Sequence, residues 1–530
     1  MFKRSYLSAR FAQISMLAVL ASSSPVISSA GAAQPQEDSG ACAPLSSQEK
    51  GAAAGHYAIG AQLVADGLPQ LAYFSMDRAV RAENNGAVRA DRNGAVRASG
   101  TDQARFAALD CIENLQSNHA TLDLPNYDQE LPALVSAAKK SPANQAILAR
   151  FAFRSVVQRI GAGNLKSANF SALQPALKIS ALGSQAADGL TASAQGEHAK
   201  AVKNLRAALA NPSVGDLKSQ QAGLRLALAR SLYALGDDAA AISEYERLYQ
   251  IGLPMQDALI ESAWAQLRAK NYVKSIGLSY ELTTGKLSQF FAPEALSIRA
   301  ISFLENCRYS ETRKVIEQFT ATYTPISAWI RETKKSDQSL YETAIARSEG
   351  ALGKDSVPEK VWSVWTGSDV FTATQNGITK AFAESRQAAE TLEDSKYSKS
   401  KARLTADLKL LEAARTRAAA RIEEHLERLN ASMGMRIDRE VERLKFVRIE
   451  ANQGAGRDLI YRNANPEMAE MEKRRIKADR AEKSYRGKLD WGKVEAEDPA
   501  TETWIDEIGN FEAKSLDRCK AKKEYQDSKK

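Results

Sequence analysis

Leu226-Ala227-Leu228-Ala229-Arg230-Ser231-Leu232-Tyr233-Ala234-Leu235-Gly236-Asp237 runs on into Asp238-Ala239-Ala240-Ala241-Ile242-Ser243-Glu244-Tyr245-Glu246-Arg247-Leu248. Apolar residues recur at helical spacing on both sides of Gly236, so the stretch reads as two amphipathic helices. Gly236 supplies the open backbone that a tight helix–helix turn needs. The same frame slides along the chain. A small residue stands at Gly189, Ala229, Ala263 and Ala300, and a second follows twelve positions later at Ala201, Ala241, Ser275 and Thr312. Two helices cross closely only where the crossing point lacks bulk. The turns between them read Gly196-Glu197-His198, Gly236-Asp237-Asp238, Lys270-Asn271-Tyr272 and Cys307-Arg308-Tyr309.

This pattern resembles the tetratricopeptide repeat, a helix pair of about 34 residues. The copies here are spaced by about 40, 34 and 37 residues. Pro212, Pro254 and Pro325 are expected to end the second helices. The chain departs from the family where its first-helix Trp becomes Arg225, Leu259 or Leu296. Residues 181–330 are therefore expected to form the repeats, and 33–180 a degenerate helical extension of the stack. The resemblance implies an array whose first helices line a concave groove for a protein or peptide segment. The groove-facing candidates are Arg230, Tyr233, Trp264 and Arg268. Arginine can pair with an acidic group, and the aromatics can pack on an extended chain.

The start of the chain reads as an address. Lys3, Arg4 and Arg10 precede the apolar run Ile14 to Leu20, and small residues follow through Ala30, Ala32 and Ala33. A basic head, a short apolar core and an A-x-A-like end describe a secretory signal peptide, placed at 1–32. The run is too short to span a bilayer. Ser39-Gly40-Ala41-Cys42 has small residues before a cysteine, but it stands well behind the apolar run, which disfavours lipidation. Removing three basic residues takes the formal charge from +8 to about +5 over the remaining ~500 residues. That mild excess does not point to nucleic acid, which needs a concentrated basic face. The expected location is the periplasm of a bacterial envelope, or secretion.

Export places Cys42, Cys111, Cys307 and Cys519 in an oxidising compartment. Three pairings are open, of which Cys42–Cys111 and Cys307–Cys519 are favoured as staples of the N-terminal part and of the tail. No C-x-x-C occurs, so neither a zinc site nor a thioredoxin-type motif is supported.

Within the first part, Ala79-Val80-Arg81-Ala82, Ala87-Val88-Arg89-Ala90 and Ala95-Val96-Arg97-Ala98 repeat every eight residues. Two helical turns take about 7.2 residues, so no continuous face forms. The segment 83–100 reads as a low-complexity loop. Residues 331–372 are a junction, broken by Gly350, Gly353, Pro358 and Gly367, and Trp362 and Trp365 are expected to pack it onto the array.

From 373 to 485 charges of both signs are interspersed. Leu404, Leu408, Leu411, Ala414, Ala418, Ile422, Leu426, Leu429, Met433, Ile437, Val441, Leu444 and Val447 form one stripe with a mean step of about 3.6. A long, nearly straight amphipathic helix or a helical hairpin is expected, projecting from the array and open to self-association through 401–450. The basic cluster 472–477 and the tail 486–530, with Trp491 and Trp504, allow weak attraction to membrane surfaces or cell-wall polymers.

Chemistry-bearing motifs are absent. There is no H-E-x-x-H pair, phosphate-binding Gly-Lys loop or G-x-S-x-G elbow, and the four histidines, His56, His119, His198 and His425, lie in separate segments. No cofactor, metal or catalytic set is expected. The chain thus reads as an all-α helical-repeat solenoid followed by a long charged helix, acting as an exported non-catalytic scaffold for a protein or peptide. The alternative is a tether working through its charged helix and basic tail, and a third reading is a cell-wall hydrolase.

Overall fold

The computed structural model describes residues 42, 45, 51–82, 101–117, 122, 127–139, 141–161, 173–178, 181–210, 218–250, 256–336, 338–467, 470 and 518–519. Among them are eighteen α-helices and no β-strand. The expected signal peptide, the 83–100 loop, Pro212, Pro254, the 472–477 cluster and the tail tryptophans lie outside the described residues.

The chain is an all-α solenoid of helices packed on their sequence neighbours. The first part comprises α1 (Ala52–Ala65), α2 (Pro69–Arg81), α3 (Thr101–Ser117), α4 (Leu131–Ala138), α5 (Pro142–Gly161) and α6 (Gln174–Leu177). Four helix pairs follow: α7 (Ala181–Ala194) with α8 (His198–Leu209), α9 (Lys218–Ala234) with α10 (Asp238–Gln250), α11 (Gln256–Arg268) with α12 (Tyr272–Glu281), and α13 (Pro293–Glu305) with α14 (Tyr309–Thr333).

Each pair crosses at its two small residues. A Cβ added to Gly189 would lie 2.8 Å from Leu205, so nothing larger fits. In the later pairs a buried hydroxyl occupies the second position: Ser275 Oγ donates across the crossing to Ala263 O at 3.0 Å, and Thr312 Oγ1 donates to Arg308 O of its own turn at 3.0 Å while lying 3.4 Å from Ala300 O. The four turns share one backbone geometry. Gly196, Gly236, Lys270 and Cys307 all have positive φ, at 78°, 84°, 63° and 54°. The amide after each one donates to a carbonyl of the last helical turn, as in Asp237 N–H to Leu232 O and Arg308 N–H to Phe303 O. A fifth copy lies in α1 and α2. Gly60 and Ala72 are twelve apart, Gly67 between them has φ 77°, and a Cβ on Gly60 would meet Met76 at 2.8 Å.

Pro325 does not end its helix. α14 runs through it to Thr333, with Phe319, Tyr323, Ile326 and Ile330 buried on both sides. Their burial outweighs the roughly 3 kcal/mol that an interior proline costs a helix.

The junction carries α15 (Leu340–Ser348), a 3-10 turn (Lys354–Ser356), α16 (Glu359–Thr366) and α17 (Asp369–Thr391). Trp365 is fully buried, and its indole N–H donates to Asn430 Oδ1 at 3.0 Å. A second 3-10 turn, Ser395–Tyr397, leads to α18, Lys401–Ala464. At 1.5 Å per residue its 64 residues reach about 96 Å. The stripe is its packed face: ten of the thirteen stripe residues are buried, and Leu408, Leu429 and Val441 are half-buried.

The helix does not project. Its first turns pack on Leu63, Leu68 and Leu71 of the N-terminal helices, and its middle and end share one core with α13, α14, α15 and α16. An apolar face at this spacing is stable only when covered, and the array supplies the cover. α18 therefore spans the solenoid from its first helices to its last repeat. Disulfides join Cys42 to Cys111 and Cys307 to Cys519, and the second returns Cys519 to the last repeat turn beside Tyr309 and Ala451.

Candidate functional site at the inner face of the array

The four groove candidates sit on α9 and α11, and none presents a free surface. Arg230, Tyr233 and Trp264 are all buried. The Arg230 guanidinium forms a two-pronged bond to Glu261 on the next first helix, Nε to Oε2 at 3.0 Å and Nη2 to Oε1 at 2.7 Å. Tyr245 on α10 donates its hydroxyl to Glu261 Oε2 at 3.0 Å. Burial pushes the Glu261 carboxyl up, and the guanidinium opposes that shift. Arg230 is thus a staple between adjacent repeats. Arg268 lies 3.4 Å above the Tyr233 ring and donates to Tyr233 O at 2.6 Å while pairing with Asp238. It ties the same two repeats about one turn further along.

Trp264 meets α18. The Arg443 guanidinium lies 4.6 Å from the centre of its ring. One step along the array, Arg436 forms a two-pronged pair with Glu294 of α13, both bonds at 2.8 Å. Burial opposes the charge on Glu294, and Arg436 outweighs it, leaving the carboxyl below its ordinary value. Arg443 also pairs with Glu440, whose carboxyl burial pushes up. On this face α18 thus sets Arg436 against Glu294 and Arg443 against Trp264.

Further anchors hold α17 and α18 in place. Glu384 of α17 accepts the amides of Gln70 at 2.9 Å and Leu71 at 2.6 Å, capping α2. Burial raises its carboxyl to about 7. Glu423 of α18 caps α15 in the same way, accepting Leu340 N–H at 2.9 Å and Tyr341 N–H at 2.8 Å. Helix N-termini favour such carboxylates because their first amides lack partners. Asp407 pairs with Arg78, and Gly454 lets Tyr309 close on the helix: an added Cβ would lie 2.4 Å from the Tyr309 ring.

None of these anchors was singled out from the sequence, yet a signal was present. Asp407, Asn430, Glu440, Arg443 and Gly454 fall on the same face as the leucine stripe. A polar residue inside an apolar stripe needs a buried partner. Identifying that partner needs the fold.

His425 bonds Ser368 Oγ through Nε2 at 2.6 Å, and burial pushes its imidazole down to about 4. Among the described residues no three His, Cys, Asp or Glu side chains are grouped to hold a metal ion, and no helix is long and apolar enough to cross a membrane. No protein-family model, curated protein or solved structure matches this chain.

Proposed function

We propose that this chain is an exported, non-catalytic scaffold of the bacterial cell envelope, resembling tetratricopeptide proteins, that binds a protein partner as one closed frame. The observation that carries the reading is the filling of the inner face by α18 through Arg436, Arg443 and their partners on α11 and α13. With that face taken, partner contact falls to outward surfaces. The outer side of α18 supports this, since it exposes Met435, Ile449, Leu459 and Ile460 opposite its packed stripe. Two disulfides support export. The return of Cys519 to the body favours a frame over a free basic tether.

Photocrosslinking in the native envelope from positions 435 and 449, with identification of the captured chain, tests the reading. One discrete protein captured from both positions, and lost in Met435→Glu and Ile449→Glu without loss of folding, is the expected result. Capture of nothing from either position contradicts it.

A further inference from the structure

We propose that the cavity between α14, α15 and the Lys354–Ser356 turn is a binding site for a neutral sugar ring. This goes beyond the scaffold reading and does not depend on it. The cavity holds about 240 Å³ and is lined by Trp329, Thr333, Ser336, Gln338, Leu340, Thr343, Leu352 and Ser356. That is just below the ~300–1,000 Å³ of most ligand pockets, so it suits one small ring.

The lining specifies the chemistry. None of the eight side chains is charged. Three hydroxyls have their protons committed to backbone carbonyls: Thr333 to Trp329 O at 3.1 Å, Ser336 to Thr333 O at 3.0 Å, and Thr343 to Ser339 O at 2.8 Å. What they retain is acceptor capacity. Ser356 Oγ is buried with no hydrogen-bond partner among the described residues. Gln338, exposed at the rim, offers both a donor and an acceptor.

Trp329 adds an apolar wall. Its indole N–H is held by Ser356 O at 3.1 Å and its ring packs 5.9 Å from Trp365, so its orientation is fixed. Leu340 and Leu352 extend that wall. The ligand that fits is uncharged, rich in hydroxyl donors and apolar on one side, which describes a pyranose. A cation would also face tryptophan and acceptors. However, the lining holds no carboxylate to balance its charge.

The test uses the full chain with ¹⁵N-labelled tryptophan, titrated with glucose, N-acetylglucosamine, tetra-N-acetylchitotetraose and choline. The expected result is a saturable shift of the Trp329 indole resonance with at least one sugar, while Trp264 stays unmoved. Gln338→Ala should weaken that binding by about tenfold, the effect of losing one hydrogen bond. Tighter binding of the tetramer assigns the site to a glycan chain, and equal binding assigns it to free sugar. No Trp329 shift with any of the sugars overturns the proposal, as does a shift with choline alone. The wild-type titration decides even where a variant fails to fold.

Discussion

Arg443 lies with its guanidinium 4.6 Å from the ring centre of Trp264, 179 residues earlier in the chain. The pair joins the last described long helix to the inner face of the array. A buried cation over tryptophan is worth about 2 kcal/mol when desolvated. Trp264→Ala alone should cost about 3–5 kcal/mol through the cavity it leaves. A double-mutant cycle of Trp264→Leu with Arg443→Met, read by urea unfolding, should give a coupling of about 1–2 kcal/mol. Additive effects would mean that the two do not touch.

Glu294→Ala leaves the half-buried Arg436 charge unpaired, which costs up to about 3 kcal/mol, the lower end for breaking a buried pair. Glu294→Met with Arg436→Met removes both charges and should recover most of that loss. A double variant no more stable than Glu294→Ala would show that the pair is not what the interface depends on.

Gly454 and Gly456 are two residues apart on α18 and should respond oppositely to alanine. A Cβ at 454 meets the Tyr309 ring at 2.4 Å, whereas at 456 it meets nothing within 4 Å. Gly454→Ala should destabilise by about 1–3 kcal/mol through overpacking. Gly456→Ala should stabilise by up to about 1 kcal/mol through helix propensity. Thermal melts of the two variants separate them, and equal shifts would place Tyr309 away from the helix.

Glu384 makes stability depend on pH. Burial raises its folded value to about 7 from an ordinary 4.5. Its contribution is therefore fully present below about pH 4.5 and is lost as pH rises through 7. At about 1.4 kcal/mol per pH unit, that loss is at most roughly 3 kcal/mol. Glu384→Gln should remove this part of the slope, so the wild-type and variant stability curves converge or cross between acid and neutral pH. Parallel curves would show that the carboxyl titrates normally.

The local order of this fold was written in the residues. The paired small positions at Ala229/Ala241 and Ala263/Ser275 mark helix crossings because bulk is excluded there, and that demand acts within some 40 residues. The stripe from Leu404 to Val447 marks the packed face of α18 for the same local reason. What covers the stripe was not legible, because the cover comes from α1, α2 and α13–α16, far away in sequence. That missing partner explains the misplaced groove. Arg230 and Trp264 look like binding residues when the array is read alone, and they are core residues once Glu261 and Arg443 are in place. Pro325 misled for a related reason, since the burial that carries α14 through it comes from elsewhere in the fold. The fifth copy, with Gly60, Gly67 and Ala72, was legible by the same spacing rule and was hidden only by its distance from the other four.

The state of α18 is most directly read by hydrogen–deuterium exchange on the full chain, followed peptide by peptide. If the helix closes the inner face, amides of 404–451 should be protected to the same degree as those of α13 and open with them in one cooperative step. Fast exchange along 404–451, while α9, α11 and α13 stay protected, would show a projecting arm and contradict the closed frame.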